Sequence, residues 1–316
     1  MSGLERTELE KTVNILSDSP AWRIVSHVKP DGDTLGCGSA LAQAGVKLGK
    51  DVAWCGSDDM PPLYRFLPLS ERYEKIDSIP NDGRCLIYLD VSVFDRGVPG
   101  PFPEVNIDHH KDNELFGTVA NIVRPDAAAA GEIMFEVINA LGCGIDIPIA
   151  EALFAAIVTD CGWFKFSNAT TNTLRVASEL AALGVIPAKI DQLLDQNDSI
   201  AKVRLWGCCL SRIKRVGERA VLSWVTKEDF KSTEALESDT EGLVNRLTNV
   251  AGADLSVLVS ETSSCLRCSV RARGDKSAQE FAAKFGGGGH RYASGCKLYV
   301  PLEQGLAELE SELLRA

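Results

Sequence analysis

The first half of the chain alternates short apolar runs, rich in β-branched residues, with longer segments of helical periodicity. Between Trp22 and about Ser167, the strand-like runs cover residues 22–27, 51–56, 85–92 and 104–110, and the helical segments cover 38–50, 127–142 and 147–160. This alternation is typical of a parallel sheet with helices on its faces. The sequence therefore predicts an α/β fold, in which ligands bind at the carboxyl ends of the strands.

A second, smaller α/β domain is predicted in the rest of the chain. At roughly 150 residues per domain, a length of 316 residues accommodates two domains. A predicted helix ends at Gly184 and is followed by a polar helical stretch typical of a linker. We therefore expect a parallel-sheet domain at 1–187, a helical linker at 188–215 and a second domain at 216–316.

The composition excludes some functions. Lys and Arg total 33 and Asp and Glu total 44, so the formal net charge of -11 argues against a protein that coats long nucleic acids by bulk electrostatics. No apolar stretch approaches the ~18 residues of a membrane-spanning helix, and the charged N-terminus lacks the apolar core of a secretory signal. We therefore expect a cytoplasmic protein whose ten cysteines, including Cys265 and Cys268, are reduced packing residues.

Acidic residues and histidines cluster where the apolar runs end. Three of the only four histidines lie beside Asp residues at the ends of predicted strands, and a further Asp ends an apolar helical run. The four segments contribute His27, Asp31 and Asp33; Asp90; Asp108, His109 and His110; and Asp160. A single Asp after a strand is usually a turn former or a helix N-cap. The joint pattern instead favours a metal site.

These residues offer carboxylate and imidazole ligands and require no thiolate. Such a set suits Mn²⁺, with Mg²⁺, Co²⁺ or Zn²⁺ as alternatives. Because so many anions need more than one cation to be stable, the sequence predicts two divalent metal ions. We expect Asp31 and Asp33 to lie in an extended turn, where both side chains can face the same side. Asp90 can bridge two cations, since a carboxylate has two oxygens.

The second domain carries its own candidate site. Four consecutive glycines end at Gly289, and the fourth histidine, His290, follows at once. A loop without side chains can bring backbone N–H groups close to a phosphate; the alternative is a flexible connector. Along the neighbouring predicted strand, alternate residues share one face, which is either a ligand site or a solvated surface. The candidate ligand-binding residues are Ser269, Arg271, Arg273, Gly287, Gly288, Gly289 and His290.

Five of these segments together resemble a known family. Four of them resemble, in order and spacing, the motifs of the DHH phosphoesterases: HVKPDGDTLG, LDVS, NIDHHKDN and IVTDCGWFKFSNATT. GGGGHRYASG is similar to the signature of the DHH-associated domain, so the resemblance extends from about Trp22 to about Val300. It implies an N-terminal metal-binding DHH domain and a C-terminal nucleotide-binding domain. One departure is Cys37, where related sequences usually carry Ser.

The resemblance also implies roles for individual residues. It makes His27 and Asp31 ligands of one metal, makes Asp33, His109 and Asp160 ligands of the other, and places Asp90 as a bridge between them. It implies that Asp108 orients a ligand histidine and that His110 faces the substrate phosphate. Ser269, Arg271, Arg273 and the glycine loop would form the nucleotide site.

Within this family, the length and domain content indicate a hydrolase of oligonucleotides a few residues long. The chain shows neither the oligonucleotide-binding domain of the longer exonucleases nor the spanning helices of membrane-bound relatives. The expected substrates are short RNA or DNA oligonucleotides and 3'-phosphoadenosine-5'-phosphate, which would yield mononucleotides and AMP; a homodimer without a membrane partner is also expected. Two alternatives stay open: a soluble phosphodiesterase of linear or cyclic dinucleotides such as pApA or c-di-AMP, and a non-enzymatic nucleotide sensor.

Overall fold

A computed structural model of the protein describes residues 3–196 and 198–315. The chain divides after residue 197 into two compact units. Each unit is built on its own six-stranded sheet, so the predicted α/β class with two sheet-containing parts is confirmed. No helix within the described residues is long and apolar enough to cross a membrane.

The first unit contains a parallel sheet with the strand order β3-β2-β1-β4-β5-β6. Its strands are β1 (Ala21–Ser26), β2 (Asp51–Gly56), β3 (Tyr73–Lys75), β4 (Cys85–Leu89), β5 (Val105–Asp108) and β6 (Ala120–Val123). The order reverses between the neighbouring strands β1 and β4. In open α/β sheets, a crevice forms at the carboxyl ends of the strands at such a reversal, and ligands bind there.

Helices cover one face of this sheet. They are α1 (Gly3–Asp18), α2 (Gly32–Lys47), α3 (Ala130–Leu141), α4 (Ile147–Asp160), α5 (Thr171–Ala182) and α6 (Pro187–Leu194). Helices α2 and α3 contact the sheet and α4 packs on both, closely enough that a side chain at Gly36 would overlap α4. On the opposite face, Val25, Leu86 and Tyr88 are buried under loop residues such as Val98. The sequence predicted helices on both faces; the described residues place them on one.

The second unit contains a mixed sheet with the strand order β11-β12-β10-β9-β8-β7, in which β8 and β9 pair in parallel and the other described pairs are antiparallel. Its strands are β7 (Lys214–Val216), β8 (Ala220–Val225), β9 (Leu255–Glu261), β10 (Leu266–Ala272), β11 (Gly288–Gly289) and β12 (Ala293–Leu298). Its helices are α7 (Ile200–Ser211), α8 (Lys227–Thr233), α9 (Leu243–Leu247), α10 (Ala278–Ala283) and α11 (Leu302–Leu313). The two faces of this sheet bury separate apolar cores.

Residues 188–215, predicted as a linker, contribute helices to both units. Ile190 of α6 is buried in the core of the first unit. Leu205 of α7 is buried in a core of the second unit. The domain limits at 187 and 215 stay predictions. Seven of the ten cysteines are buried, as expected of packing residues.

Candidate metal centre

The strand ends bring three of the predicted segments together. His27 directly follows β1, Asp90 directly follows β4, and Asp108 is the last residue of β5. These strands are neighbours, and β1 and β4 flank the reversal of strand order. Side chains at their carboxyl ends therefore converge on one crevice. Asp90 itself has a left-handed backbone (φ 59°), a conformation that costs free energy and is often found at functional sites.

The segment of Asp31 and Asp33 starts a helix rather than forming an extended turn. Asp31 is the N-cap of α2, and its carboxylate accepts hydrogen bonds from the backbone N–H groups of Asp33 and Thr34. Asp33 lies in the first helical turn and is 1% exposed. The expected extended geometry was therefore wrong, because an Asp that accepts these two N–H groups favours helix initiation.

Helix packing supplies the remaining ligand. Asp160 is the last residue of α4, and α4 packs along α2. The carboxylates of Asp33 and Asp160 thus approach the same imidazole: His109 Nε2 lies 3.8 Å from Asp33 Oδ2 and 3.4 Å from Asp160 Oδ2. The structure therefore brings together all six predicted metal ligands.

Two clusters of ligand atoms share Asp90. His27 Nε2 lies 3.5 Å from Asp31 Oδ1 and 3.4 Å from Asp90 Oδ2. The other oxygen, Asp90 Oδ1, lies 3.4 Å from His109 Nε2. The sets His27–Asp31–Asp90 and Asp33–His109–Asp160 could each hold a metal ion. One carboxylate oxygen faces each set, which is the arrangement of a bridging ligand.

The donor atoms fit divalent cations. Separations of 3.4 to 3.8 Å exceed the roughly 3 Å of a good hydrogen bond. They are compatible with oxygen and nitrogen donors surrounding an ion at ~2 Å each. Asp90 Oδ1 is buried and has no hydrogen-bond partner, although buried polar atoms are normally paired. A bound cation would satisfy it.

Burial and mutual repulsion set the protonation of this site. Burial, reinforced by the charges of Asp90 and Asp160, raises the pKa of Asp33 well above its usual range. Burial also raises the pKa of Asp160 to about 6. For His27, burial lowers the pKa, but Asp31 and Asp90 outweigh it and raise the value to about 10. Without a cation, bound protons therefore offset part of the carboxylate charge.

Asp108 contacts His110 rather than a ligand histidine. Asp108 Oδ1 lies 2.7 Å from His110 Nδ1 and accepts the backbone N–H groups of His109 and His110. The ring of His109 instead directs Nδ1 at the carbonyl oxygen of Ala127, 3.2 Å away. The implied role of Asp108 therefore changes from orienting a ligand to orienting the partly exposed His110. The hydrogen bond with Asp108 is the main cause that raises the pKa of His110 to about 9.

Sequence reasoning missed two asparagines that hold residues of this site in place. Asn113 donates from Nδ2 to Asp108 Oδ2 (2.5 Å) and to the carbonyl oxygen of Val91 (3.0 Å). Asn168 donates to the carbonyl oxygen of Asp160. Both asparagines lie inside the segments NIDHHKDN and IVTDCGWFKFSNATT, so their proximity to the ligands was the available signal.

The second unit places the glycine loop beside the predicted polar strand. Gly288 pairs with Gly295 of β12, which pairs with Ser269 of β10. Ser269 and Arg271 occupy alternate positions of β10 and thus share a face. Arg271 donates from Nε to Asn245 Oδ1 at 3.0 Å.

The remaining predicted residues of this second site lie at its margins. Arg273 follows the end of β10 and is exposed. Gly289 is the last residue of β11, and Gly287 precedes that strand. His290 is exposed in the turn between β11 and β12, where its backbone N–H donates to the carbonyl oxygen of Ala293. The candidate residues therefore form a row almost free of side chains, bordered by Ser269 and Arg271.

A parallel sheet with a histidine and aspartate cluster at its switch point defines an α/β protein with a candidate metal site. No protein-family model matches the chain. The bifunctional oligoribonuclease and PAP phosphatase NrnA of Thermus thermophilus is 35% identical over 93% of this chain and 90% of its own length. The chain belongs to the family of bifunctional oligoribonucleases and PAP phosphatases, a group of DHH phosphoesterases.

Solved structures agree with the fold. An exopolyphosphatase-related protein from Bacteroides fragilis superposes with a TM-score of 0.86 at 24% identity, covering 100% of this chain and 98% of that one. RecJ of Thermus thermophilus in complex with Mn²⁺ superposes with a TM-score of 0.51 at 14% identity, covering 98% of this chain and 55% of that one. The predicted DHH-type fold is confirmed.

Proposed function

We propose that the protein is a metal-dependent phosphoesterase that hydrolyses short oligonucleotides to mononucleotides and converts 3'-phosphoadenosine-5'-phosphate to AMP. The observation that carries this proposal is the position of Asp90, whose two oxygens face two separate histidine and carboxylate clusters. The relatives named as oligoribonucleases and PAP phosphatases support the substrate class.

Two divalent cations fit this site best, and we propose Mn²⁺, with Mg²⁺ or Co²⁺ as alternatives. His27 and Asp31 would hold one cation, and Asp33, His109 and Asp160 the other, with Asp90 between them. The mixed imidazole and carboxylate set suits such ions, and the RecJ protein of similar fold was crystallised with Mn²⁺. When bound, two such cations supply an activated nucleophile near neutral pH and offset charge on a phosphate.

His110 is the residue that we assign to the substrate phosphate. Its side chain is 37% exposed, whereas that of Asp108 is fully buried. Asp108 fixes the Nδ1 side of the ring, so that Nε2 is the nitrogen left to donate to a ligand. With its pKa raised to about 9, the ring carries a positive charge at neutral pH in the metal-free protein. Such a group stabilises negative charge that develops on a phosphate.

The second unit is proposed to bind the nucleotide. Gly288, Gly295 and Ser269 form a row across three strands with almost no side-chain bulk, so a ligand can approach the backbone closely. Arg271, Arg273 and His290 add cationic or hydrogen-bonding groups around that row. A substrate of few phosphates needs few such contacts, which agrees with the net charge of -11.

A substrate panel tests this function. The purified chain is incubated with Mn²⁺ and RNA or DNA dimers to heptamers, cyclic dinucleotides, pyrophosphate or 3'-phosphoadenosine-5'-phosphate, and products are separated by chromatography. We expect mononucleotides from the short oligomers and AMP from 3'-phosphoadenosine-5'-phosphate. Cleavage of cyclic or linear dinucleotides alone would favour the dinucleotide phosphodiesterase. Binding of a dinucleotide without product from any substrate would favour the sensor. A cytoplasmic location and a homodimer stay predictions from the sequence.

A further inference from the structure

All three residues of one cluster are connected, directly or through Asn168, to a single short segment, residues 127–131, which includes the start of α3. The His109 ring directs Nδ1 at the carbonyl oxygen of Ala127, 3.2 Å away. Because a carbonyl only accepts, this contact places the proton on Nδ1 and leaves Nε2 free to face the cluster. The segment therefore fixes both the orientation and the tautomer of this ligand.

The same segment holds the carboxylate of Asp33 and is connected through Asn168 to the backbone of Asp160. Asp33 accepts the backbone N–H groups of Ala130 at 2.6 Å and Gly131 at 2.9 Å, one on each oxygen. The Asn168 side chain donates from Nδ2 to the carbonyl oxygens of Ala128 (3.1 Å) and Asp160 (3.2 Å). Asn168 thus connects the segment to the end of α4, where Asp160 resides.

A buried carboxylate holds the segment itself. Glu132 is 1% exposed, and its Oε1 accepts the backbone N–H of Ala128 at 3.0 Å and the hydroxyl of Thr173 at 2.6 Å. Its Oε2 accepts Asn172 Nδ2 at 2.5 Å. Three donors in a buried site make Glu132 a fixed anchor between the segment and the start of α5.

We propose that Asn168 and Glu132 are positioning residues that set the cation affinity of the Asp33–His109–Asp160 cluster through segment 127–131. This inference rests on the proposed metal-dependent function. The other cluster has supports outside segment 127–131: the His27 ring contacts the carbonyl oxygen of Val28, and Asp31 caps its own helix. Loss of the positioning residues therefore weakens one of two cation sites and leaves the other intact.

The test measures Mn²⁺ binding by the full chain. Titration calorimetry and the electron paramagnetic resonance signal of free Mn²⁺ give the number of bound ions and their affinities. We expect two bound ions in the wild-type protein. In Asn168→Leu, which keeps the side-chain volume but has no donor, one ion should bind as in wild type. The other should bind about 10- to 100-fold more weakly, the usual cost of losing a group that orients a ligand.

Two further variants make the result specific. Asn121→Leu is the matched control, because Asn121 also secures a loop with its amide, donating to the carbonyl oxygen of Gly117 at 2.8 Å, but contacts no ligand. It should bind two ions normally. Glu132→Gln keeps the volume of the anchor and should weaken the same single site, which protects the test against misfolding of Asn168→Leu.

Each outcome decides the question. Two unaltered Mn²⁺ sites in Asn168→Leu and Glu132→Gln would overturn the positioning role, as would equal weakening of both sites. Wild-type protein that binds two Mn²⁺ ions but hydrolyses no short oligonucleotide would overturn the proposed function and leave the positioning role standing. Wild-type protein that binds no divalent cation would overturn both.

Discussion

The carboxylate of Asp33 accepts the backbone N–H of Ala130 at 2.6 Å, although 97 residues separate them in the sequence. Helix α3 begins after Ala129, whose side chain cannot accept a hydrogen bond, so Asp33 of helix α2 takes the place of the missing N-cap. Each carboxylate oxygen has two lone pairs, which lets Asp33 bond the helix and still face a cation. Metal binding and helix packing are thereby coupled at one residue.

Asp33→Ala should destabilise the protein more in the presence of Mn²⁺ than in its absence. The change leaves two buried N–H groups without partners, at roughly 1–3 kcal/mol each. In metal-free protein, the loss is partly offset because the cost of burying the Asp33 carboxyl, which raises its pKa together with the charges of Asp90 and Asp160, disappears. Urea unfolding with Mn²⁺ and with EDTA measures both cases. An equal loss in the two conditions would refute the coupling.

Asp90→Ala should abolish Mn²⁺ binding at both clusters and reduce turnover by more than the roughly 100-fold cost of losing an orienting residue. Its two oxygens face the two clusters, and it is 2% exposed. Calorimetry and product release from a dinucleotide measure the two effects. Asp95→Ala, in the exposed turn that follows the same strand, is the control. A variant at Asp90 that retained one normal site would exclude a shared ligand.

Asn113→Ala should lower kcat about 10- to 100-fold while Mn²⁺ binding stays normal. Asn113 donates to Asp108, and Asp108 in turn contacts the His110 ring. Asn113 itself contacts no residue assigned as a metal ligand. Steady-state kinetics on a dinucleotide and Mn²⁺ titration separate the two effects. A variant with normal kcat and weakened Mn²⁺ binding would show that this chain of contacts serves the metals instead of His110.

The clustering of the six candidate ligands could be predicted because the segments that carry them follow or end apolar runs, a local property of the sequence. His27, Asp90 and His109 follow buried strands, and parallel pairing alone brings their ends together. The start of α2 was misplaced because the capping strength of Asp31 depends on N–H groups that become available only in a helix. The three-residue strand β3 is too short for a periodicity to be recognised.

Contacts between distant segments could not be predicted in the same way. Glu132 reads as one polar residue in an apolar helical segment, and nothing in its neighbourhood predicts Asn172 and Thr173 as partners 40 and 41 residues away. The sequence also could not predict that Asp108 contacts the ring of His110 and not that of His109, since two adjacent histidines have the same chemistry. In the structure, the His109 ring contacts Ala127 and the His110 ring contacts Asp108.

Metal-free protein should lose stability as the pH rises from about 6.5 to about 10. Contacts with carboxylates raise the pKa of His27 to about 10 and of His110 to about 9, from 6.5 in an unfolded chain. The folded state thus binds these protons more tightly, so the stability they contribute is complete below pH 6.5 and is lost through pH 9–10. Urea unfolding of EDTA-treated protein across this range measures the slope.

Mn²⁺ and a matched variant provide the controls for this pH dependence. A cation at His27 takes the place of the proton, so saturating Mn²⁺ should flatten the slope between pH 6.5 and 10. His27→Gln removes one titrating group and should flatten it in EDTA as well. A slope unchanged by both treatments would mean that other groups control stability in this range.

Gly288→Ala should raise KM for dinucleotides without changing stability. A methyl group at Gly288 would have nothing within 4 Å in the protein, whereas at Gly287 it would overlap the carbonyl oxygen of Gly295. Gly287→Ala is therefore expected to lower the free energy of unfolding of the second unit, and the neighbouring Gly288→Ala is not. Any loss of substrate affinity in Gly288→Ala then reports a ligand close to the backbone. Kinetics and thermal melts of both variants separate the two effects, and Mn²⁺ binding should be unaltered in each. A normal KM in Gly288→Ala would remove this loop from the substrate site.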